Sequence, residues 1–449
     1  MRKSHLWMVL VLCLALAAAE AAVAAQLLFT PRATVTEEYN DNIDADRKNK
    51  KDDFITTVTV GGTLELLGQV SGLRISYDPG YSFYADNDEY DSWRHNLLAS
   101  GWHNFSRETR LDLRNYFLYT KDPLADDDVE DNQGNIIVQG NDRSRQGQDT
   151  YYRNNASARL SHQFGPENST YAQFVYDLTK YDDPTSEDSQ EFSPSAGLIY
   201  WFSNWWGIEL DGGYTRGLYD ESDSSDFNNY TGRFRLNRRI SPQFGVYGEY
   251  RQIYRDWDDP SENGGTDGNE IEEDYFVYAP SVGLFYQFDP TLTASIGVGY
   301  FYQQIENAND QKGPFINTDI NKLWDFQRWS IRTRGSSGID SQDFSGENQG
   351  FERYAQVELI GKYNFTRDFF ADMGLRYRYS DYINTEDEEV DHRYTADVGI
   401  GYAVTRWMSL RLAYAFEKLD AINSTDDYEQ NRAYMTITLQ PDQPWRLWD

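Results

Sequence analysis

Cysteine is nearly absent from this chain: among 449 residues the single cysteine is Cys13, inside the first apolar run. The chain beyond that run lacks the thiols that disulfides, zinc–thiolate sites and cysteine nucleophiles require. No later stretch reaches the roughly 20 apolar residues that a membrane-spanning helix needs. The sequence therefore argues against a helical membrane protein and against thiol chemistry.

The first 25 residues have the pattern of a secretory signal peptide. Arg2 and Lys3 precede an apolar run to Ala19, and small residues follow, which is the order of charge, apolar core and cleavage site. We expect a signal peptide over 1–25, cleaved after Ala24 or Ala25. Leu12 precedes Cys13 where a lipoprotein signal carries a small residue, so lipid anchoring is disfavoured.

The chain is polar and acidic, yet rich in aromatic residues. Its mean hydropathy is −0.74, and its formal net charge of −32 accompanies 34 Tyr, 24 Phe and 12 Trp. Acidic disordered chains are poor in aromatics. An exported, aromatic-rich polar chain is instead typical of a Gram-negative outer-membrane barrel, whose wall alternates apolar and polar side chains.

Apolar and polar residues alternate, with a period of two, in many segments along the chain. Between Phe54 and Leu66, apolar residues alternate with threonine and glutamate, and the pattern resumes after a break at Gly68–Ser71. About 20 such strands recur, with 18 left open because the pair near 314–335 is weak. We predict an all-β fold: a transmembrane antiparallel up-and-down β-barrel over 26–440, followed by a C-terminal tail over 441–449.

Short and long connections alternate along the chain, which predicts the orientation. Short turns are expected in the periplasm with both termini, and long acidic loops outside the cell. The longer connections include segments near 43–53, 121–150, 256–274 and 336–350. Segments 121–150 and 304–350 are candidates for folding into the lumen, and ordinary extracellular loops are the alternative.

Arginines occupy the polar positions of many predicted strands. The predicted lumen arginines are Arg74, Arg94, Arg110, Arg114, Arg153, Arg159, Arg233, Arg235, Arg251, Arg376, Arg378, Arg393 and Arg411. Acidic residues share the same face, so one interpretation is an ion-paired network that fills and stiffens the lumen. The other is a path for an acidic solute or polymer, because guanidinium groups bind carboxylates in a forked geometry.

Nothing in the sequence indicates catalysis, a metal site or a cofactor. The four histidines beyond residue 25 lie near predicted strand ends, with no nucleophile motif beside them. The acidic loop clusters match no calcium-loop spacing and are interpreted as solvated surface. Strong acidity also argues against a nucleic-acid partner.

Three stretches resemble porin-like outer-membrane barrels associated with exopolysaccharide or exosortase (PEP-CTERM) gene clusters. They are TVTEEYNDNI (Thr34–Ile43), RWSIRTRGSSGIDSQDFSGENQGF (Arg328–Phe351) and NRAYMTITLQPDQPWR (Asn431–Arg446). The resemblance extends in layout over the mature chain. It implies an outer-membrane pore that helps to export a polysaccharide, and it assigns no site residues.

We therefore expect an outer-membrane channel for exopolysaccharide export through an arginine-lined lumen. The expected partners are outer-membrane lipid and lipopolysaccharide, the barrel-insertion machinery, an acidic polysaccharide and periplasmic export components. Two alternatives remain open: a structural or adhesive barrel with a plugged lumen, and a diffusion porin for small solutes.

Overall fold

The computed structural model describes residues 26–448, apart from 124–128, 131–135, 139–146, 184–185, 187, 221–225, 259–272, 290, 307, 345–346, 384–388 and 423–426. The predicted signal peptide and much of the acidic clusters lie outside the described residues. Asp88–Tyr90 form one turn of 3-10 helix. The strands are β1 (Gln26–Asn40), β2 (Asp53–Leu67), β3 (Ser71–Tyr84), β4 (Ser92–Asn104), β5 (Thr109–Thr120), β6 (Val129–Glu130), β7 (Ile136–Val138), β8 (Tyr151–Gln163), β9 (Ser169–Tyr181), β10 (Ser189–Trp201), β11 (Trp206–Tyr219), β12 (Phe227–Arg239), β13 (Phe244–Trp257), β14 (Tyr275–Asp289), β15 (Leu292–Ile305), β16 (Gln311–Asp325), β17 (Trp329–Phe344), β18 (Glu347–Asn364), β19 (Phe369–Tyr382), β20 (Glu389–Thr405), β21 (Met408–Ile422), β22 (Tyr428–Leu439) and β23 (Trp445–Trp448).

Twenty strands, β1–β5 and β8–β22, form a closed antiparallel barrel in which each strand pairs with the next. The last of them closes the ring against β1, with Ala33 opposite Leu439 and Asn40 opposite Arg432. Closure of the ring removes the two free edges that an open sheet of these strands would expose to lipid. The prediction of about 20 strands is confirmed, since the weak region forms β16 and β17.

The outer face of the wall is apolar. Val60 is 65% exposed, Val282 63% and Val298 60%, and each alternates with residues that point inward. Such a continuous apolar surface is stable against hydrocarbon and costly against water. The predicted outer-membrane location and transmembrane barrel are therefore confirmed. Among the described residues, no helix is long and apolar enough to cross a membrane.

The two ends of the barrel differ. At the turn end, tight connections are closed by hydroxyl groups: Ser241 Oγ accepts hydrogen bonds from the backbone N–H groups of Gln243 and Phe244, at 3.3 and 3.1 Å. The loop end carries most of the longer connections, and outer-membrane barrels direct that end to the outside. The expected loop at 336–350 is wrong, because β17 and β18 extend to Phe344 and Glu347.

The C-terminal tail adds a short strand to the wall. Strand β22 covers only the second half of β1, and β23 pairs with Leu27–Phe29 beneath it. The rings of Phe29 and Trp445 meet edge to face at 6.1 Å. The tail thus completes the hydrogen bonding of β1 at the turn end.

Candidate functional site: the lumen and its mouth

All thirteen predicted arginines lie on strand positions that alternate with the lipid-facing ones, and thus on the inner face. Arg159 bonds to the Gln173 amide at 2.7 Å, Arg114 is exposed, and Arg393 lies opposite Arg378 in the register. At least nine of the thirteen form ion pairs: Arg74–Glu65, Arg94–Asp122, Arg110–Asp112, Arg153–Asp177, Arg233–Asp211, Arg235–Glu249, Arg376–Glu358, Arg378–Glu352 and Arg411–Asp372.

The densest ion-pair network lies on β11–β13. Arg233 contacts three carboxylates, those of Asp211 at 2.5 Å, Glu209 at 3.2 Å and Glu249 at 3.4 Å. Arg235 reaches the same Glu249 at 2.7 Å. Only 2% of the Glu249 side chain is exposed, so its charge depends on these two guanidinium groups. In this part of the inner face the predicted ion-paired network is present, with two arginines and three carboxylates interlocked.

A second network joins β17, β18 and β19. Glu358 accepts from Arg334 at 3.1 Å and from Arg376 at 3.0 Å. The sequence prediction missed Arg334, and also Arg32, which pairs with Asp78. Both arginines occupy alternate positions of their strands, which is the signal that would have included them.

A cavity of about 430 Å³ opens on the inner face beside these networks. Arg233, Arg235, Arg251, Asn317 and Tyr354 are among its lining residues. Arg233 and Arg235 are paired with carboxylates. Among the residues that the structure describes, no carboxylate pairs with Arg251, which donates to a backbone carbonyl. Most of the five donors of the Arg251 guanidinium therefore remain available to an anion in the cavity.

The C-terminal end of β17, beyond Ser337, folds inside the wall at the loop end of the barrel. Its pairing with β16 stops at Ser337, and β17 continues only against β18. Ile339 is 1% exposed and packs against the inward-facing Phe301 and Phe315 of β15 and β16. Arg251 on β13 donates to the Ile339 carbonyl at 2.9 Å. The segment 304–350 was a candidate for folding into the lumen. Residues 311–337 instead form part of the barrel wall, and only the part of the chain from about Gly338 lies inside it.

The loop between β1 and β2 also enters the mouth. Ile43, 1% exposed, packs against the inward-facing Ile55 and Tyr84, while the fully buried Ala45 packs among inner-face residues of β21 and β22. The Asp44 carbonyl accepts the backbone N–H of Gly147 at 2.8 Å. Ile43 and Ala45, two apolar residues in an otherwise polar and charged loop, were the sequence signal that could have indicated this contact. Most of the predicted plug 121–150 lies outside the described residues.

Comparison with known proteins relates this barrel to a family of porins. The model of the family described as "Putative beta-barrel porin 2" matches residues 211–441, about half of the chain. The chain belongs to this porin family. A second family, described as "Putative MetA-pathway of phenol degradation", matches residues 103–271. No protein of curated function matches the sequence.

Solved outer-membrane proteins resemble the porin at low identity. The siderophore receptor PirA from Pseudomonas aeruginosa is 12% identical, with 92% of this chain and 80% of that one covered and a TM-score of 0.48. The outer membrane protein OpdK from the same species is 11% identical over 92% and 99%, with a TM-score of 0.39. A BenF-like porin from Pseudomonas fluorescens is 10% identical over 93% and 98%, with a TM-score of 0.38.

Hydrogen bonds hold the entering loop of the porin in place outside the membrane. Lys51 donates to Asp44 at 2.8 Å and to Tyr90 at 2.6 Å, and these bonds raise the pKa of its ammonium group. Backbone N–H groups of Lys48 and Asn49 lower the pKa of Asp46. Asp46 therefore keeps its charge, and these bonds, to lower pH than a free aspartate.

Replacing Ile43 with serine is expected to release this loop and to raise the single-channel conductance. Burying an isoleucine side chain contributes about 1.5–3 kcal/mol, which serine gives up. Planar-bilayer recording of the porin measures the effect, with Lys48→Ser as a matched change at an exposed position of the same loop. Equal conductance for wild type and Ile43→Ser would show that the loop does not narrow the path.

Within the described residues, no group of three or more His, Cys, Asp or Glu side chains is arranged to hold a metal ion. Two of the histidines that were expected near strand ends make hydrogen bonds within the wall: His95 Nδ1 is 2.9 Å from the Tyr77 hydroxyl, and His162 Nδ1 is 2.9 Å from that of Thr109. These side chains belong to the outer wall and stand apart from the arginine cavity.

Proposed function

We propose that this porin conducts acidic saccharides and that its cargo is an acidic exopolysaccharide leaving the cell. The observation that carries the proposal is Arg251, whose guanidinium faces the cavity with no carboxylate partner among the described residues. Forked N–H donors match the carboxylate of a uronic acid. Transport on this proposal needs neither catalysis nor a cofactor.

The paired arginines support passage rather than tight capture. A polymer carboxylate that reaches Arg235 or Arg376 must compete with Glu249 or Glu358 for the same donors. Conduction requires binding strong enough for entry and weak enough for release. Alternating acids and arginines along the inner face provide such exchangeable sites for a moving acidic chain.

Diffusion of small organic anions is the second candidate. A volume of about 430 Å³ is typical of a small-molecule site, and the mouth is narrowed by the loop at 41–47 and the folded edge of β17. The small cavity and the narrowed mouth both favour a short solute over a long polymer. The cavity chemistry is the same for the two candidates, so the length of the solute distinguishes them.

Planar-bilayer recording with added saccharides tests the proposal. We expect a uronic-acid oligomer to interrupt the current, a neutral oligosaccharide of equal length to leave it unchanged, and deletion of the gene to reduce polymer secretion. Permeation by a uronate monomer without interaction of the oligomer would favour the diffusion porin. No conductance together with unchanged secretion would contradict both candidates and favour a plugged structural barrel.

The partners follow from the same proposal. Periplasmic export components would deliver the polymer at the turn end, and lipopolysaccharide would contact the outer wall near the loops. The barrel-insertion machinery would recognise the C-terminal strands: β22 ends without an aromatic residue, whereas β23 carries Trp445 and Trp448.

A further inference from the structure

An apolar groove of about 690 Å³ crosses the lipid-facing side of β12–β15 near the turn end. Its floor is Gly248, where nothing lies within 4 Å of the position that a Cβ atom would occupy. In the register, Leu236 and Val282 flank this glycine, with Val298 beyond them. The missing side chain therefore leaves a slot between exposed aliphatic residues.

Arg238 stands at the turn-end side of this groove. It is exposed on the outer face, one residue before the end of β12, and its guanidinium lies 4.9 Å from the Trp206 ring. Along the described chain no carboxylate pairs with it. Arg239, its neighbour on the inner face, is paired with Glu167 at 2.8 Å. A guanidinium at a hydrocarbon boundary is costly unless an anion compensates it.

We propose that this groove binds one phospholipid of the periplasmic leaflet, with an acyl chain over Gly248 and the phosphate on Arg238. The turn end faces the periplasm, which places Arg238 at headgroup depth and the aliphatic slot at acyl-chain depth. Basic side chains at this depth bind lipid headgroup phosphates. The Trp206 ring beside the guanidinium has the amphipathic character of interfacial aromatics.

Two outward-facing glycines of the porin allow a controlled test. Gly232 resembles Gly248 in having nothing within 4 Å of its Cβ position, yet it is not among the residues that line the groove. A Cβ atom meets no other atom within 4 Å at either position, and both strands gain β-propensity when glycine is replaced by leucine. Gly248→Leu fills the slot, and Gly232→Leu adds the same side chain elsewhere.

Native mass spectrometry of the purified full porin measures the retained lipid. We expect wild type to retain one dioleoyl phosphatidylglycerol and to release dioleoylglycerol, which has the same chains and no phosphate. Arg238→Gln and Gly248→Leu should each lower retention about tenfold, as loss of a charge-assisted contact or of the slot implies. Arg239→Gln and Gly232→Leu should match wild type.

Equal retention by all four variants would assign the lipid to the nonspecific shell around the barrel and overturn the proposal. Assembly of several porin copies that Gly248→Leu abolishes, with no lipid retained by wild type, would assign the groove to a second copy and overturn it as well. Variants that keep the unfolding midpoint of wild type show that the fold is intact.

Discussion

Replacing Arg378 with methionine is expected to lower the free energy of unfolding by about 3–5 kcal/mol, because it removes a guanidinium group that compensates the buried Glu352 carboxylate. The Arg378 and Glu352 side chains are 5% and 0% exposed and 2.7 Å apart. Arg378 also donates to Ser380 and Gln356. Urea unfolding of the porin in lipid vesicles, followed by tryptophan fluorescence, measures the loss.

Two variants sharpen this test. Arg110→Gln breaks the exposed pair with Asp112, whose side chains are 48% and 32% exposed, and should cost at most about 1 kcal/mol. The double variant Arg378→Met with Glu352→Met should regain much of the lost stability, since a buried ion pair is often replaceable by apolar side chains. Equal losses for Arg110→Gln and Arg378→Met would contradict the structural role of the buried pair.

Replacing Arg251 with glutamate is expected to weaken binding of a uronic-acid oligomer tenfold to a hundredfold. A hydrogen bond to a charged group contributes about 1.5–3 kcal/mol, and the new carboxylate adds repulsion. Current interruptions in planar bilayers, counted against oligomer concentration, give the affinity. Arg251→Lys keeps the charge without the forked donors, so it should retain ion selectivity while binding more weakly than wild type.

Arg114→Glu is the matched control for Arg251→Glu. It makes the same charge change at an exposed inner-face arginine on β5, outside the residues that line the cavity. We expect it to change oligomer binding far less. Equal effects of the two reversals would mean that the average charge of the lumen, and not the cavity, attracts the solute.

Strand number, orientation and the facing of side chains were predictable from the sequence. Within the wall of a barrel, side chains point alternately to lipid and to the lumen, so the alternation between Val60 or Leu64 and their neighbours indicates the face directly. The inner-face position of arginines such as Arg233 follows from the same alternation. Their carboxylate partners do not, because those depend on the register between strands distant in sequence.

The narrowing of the mouth could not be predicted by alternation. Ile339 lies on the same face of β17 as Ile331 and Thr333, which suggests a lipid contact. In the structure that face packs against the inner surface of β15 and β16, because β17 leaves the wall beyond Ser337. The burial of Ile43 could not be predicted either, since this loop residue packs against Ile55 of β2 and Tyr84 of β3. Contacts that are distant along the chain decide both features.

The reversal potential of the purified porin in a planar bilayer under a potassium chloride gradient tests the central claim most directly. We expect an open or gated pore that favours chloride over potassium although the chain carries a net charge of −32, with Arg251→Glu shifting the preference toward potassium. A pore that favours potassium in the wild type, or a barrel that carries no current, would contradict an arginine-lined path for acidic solutes.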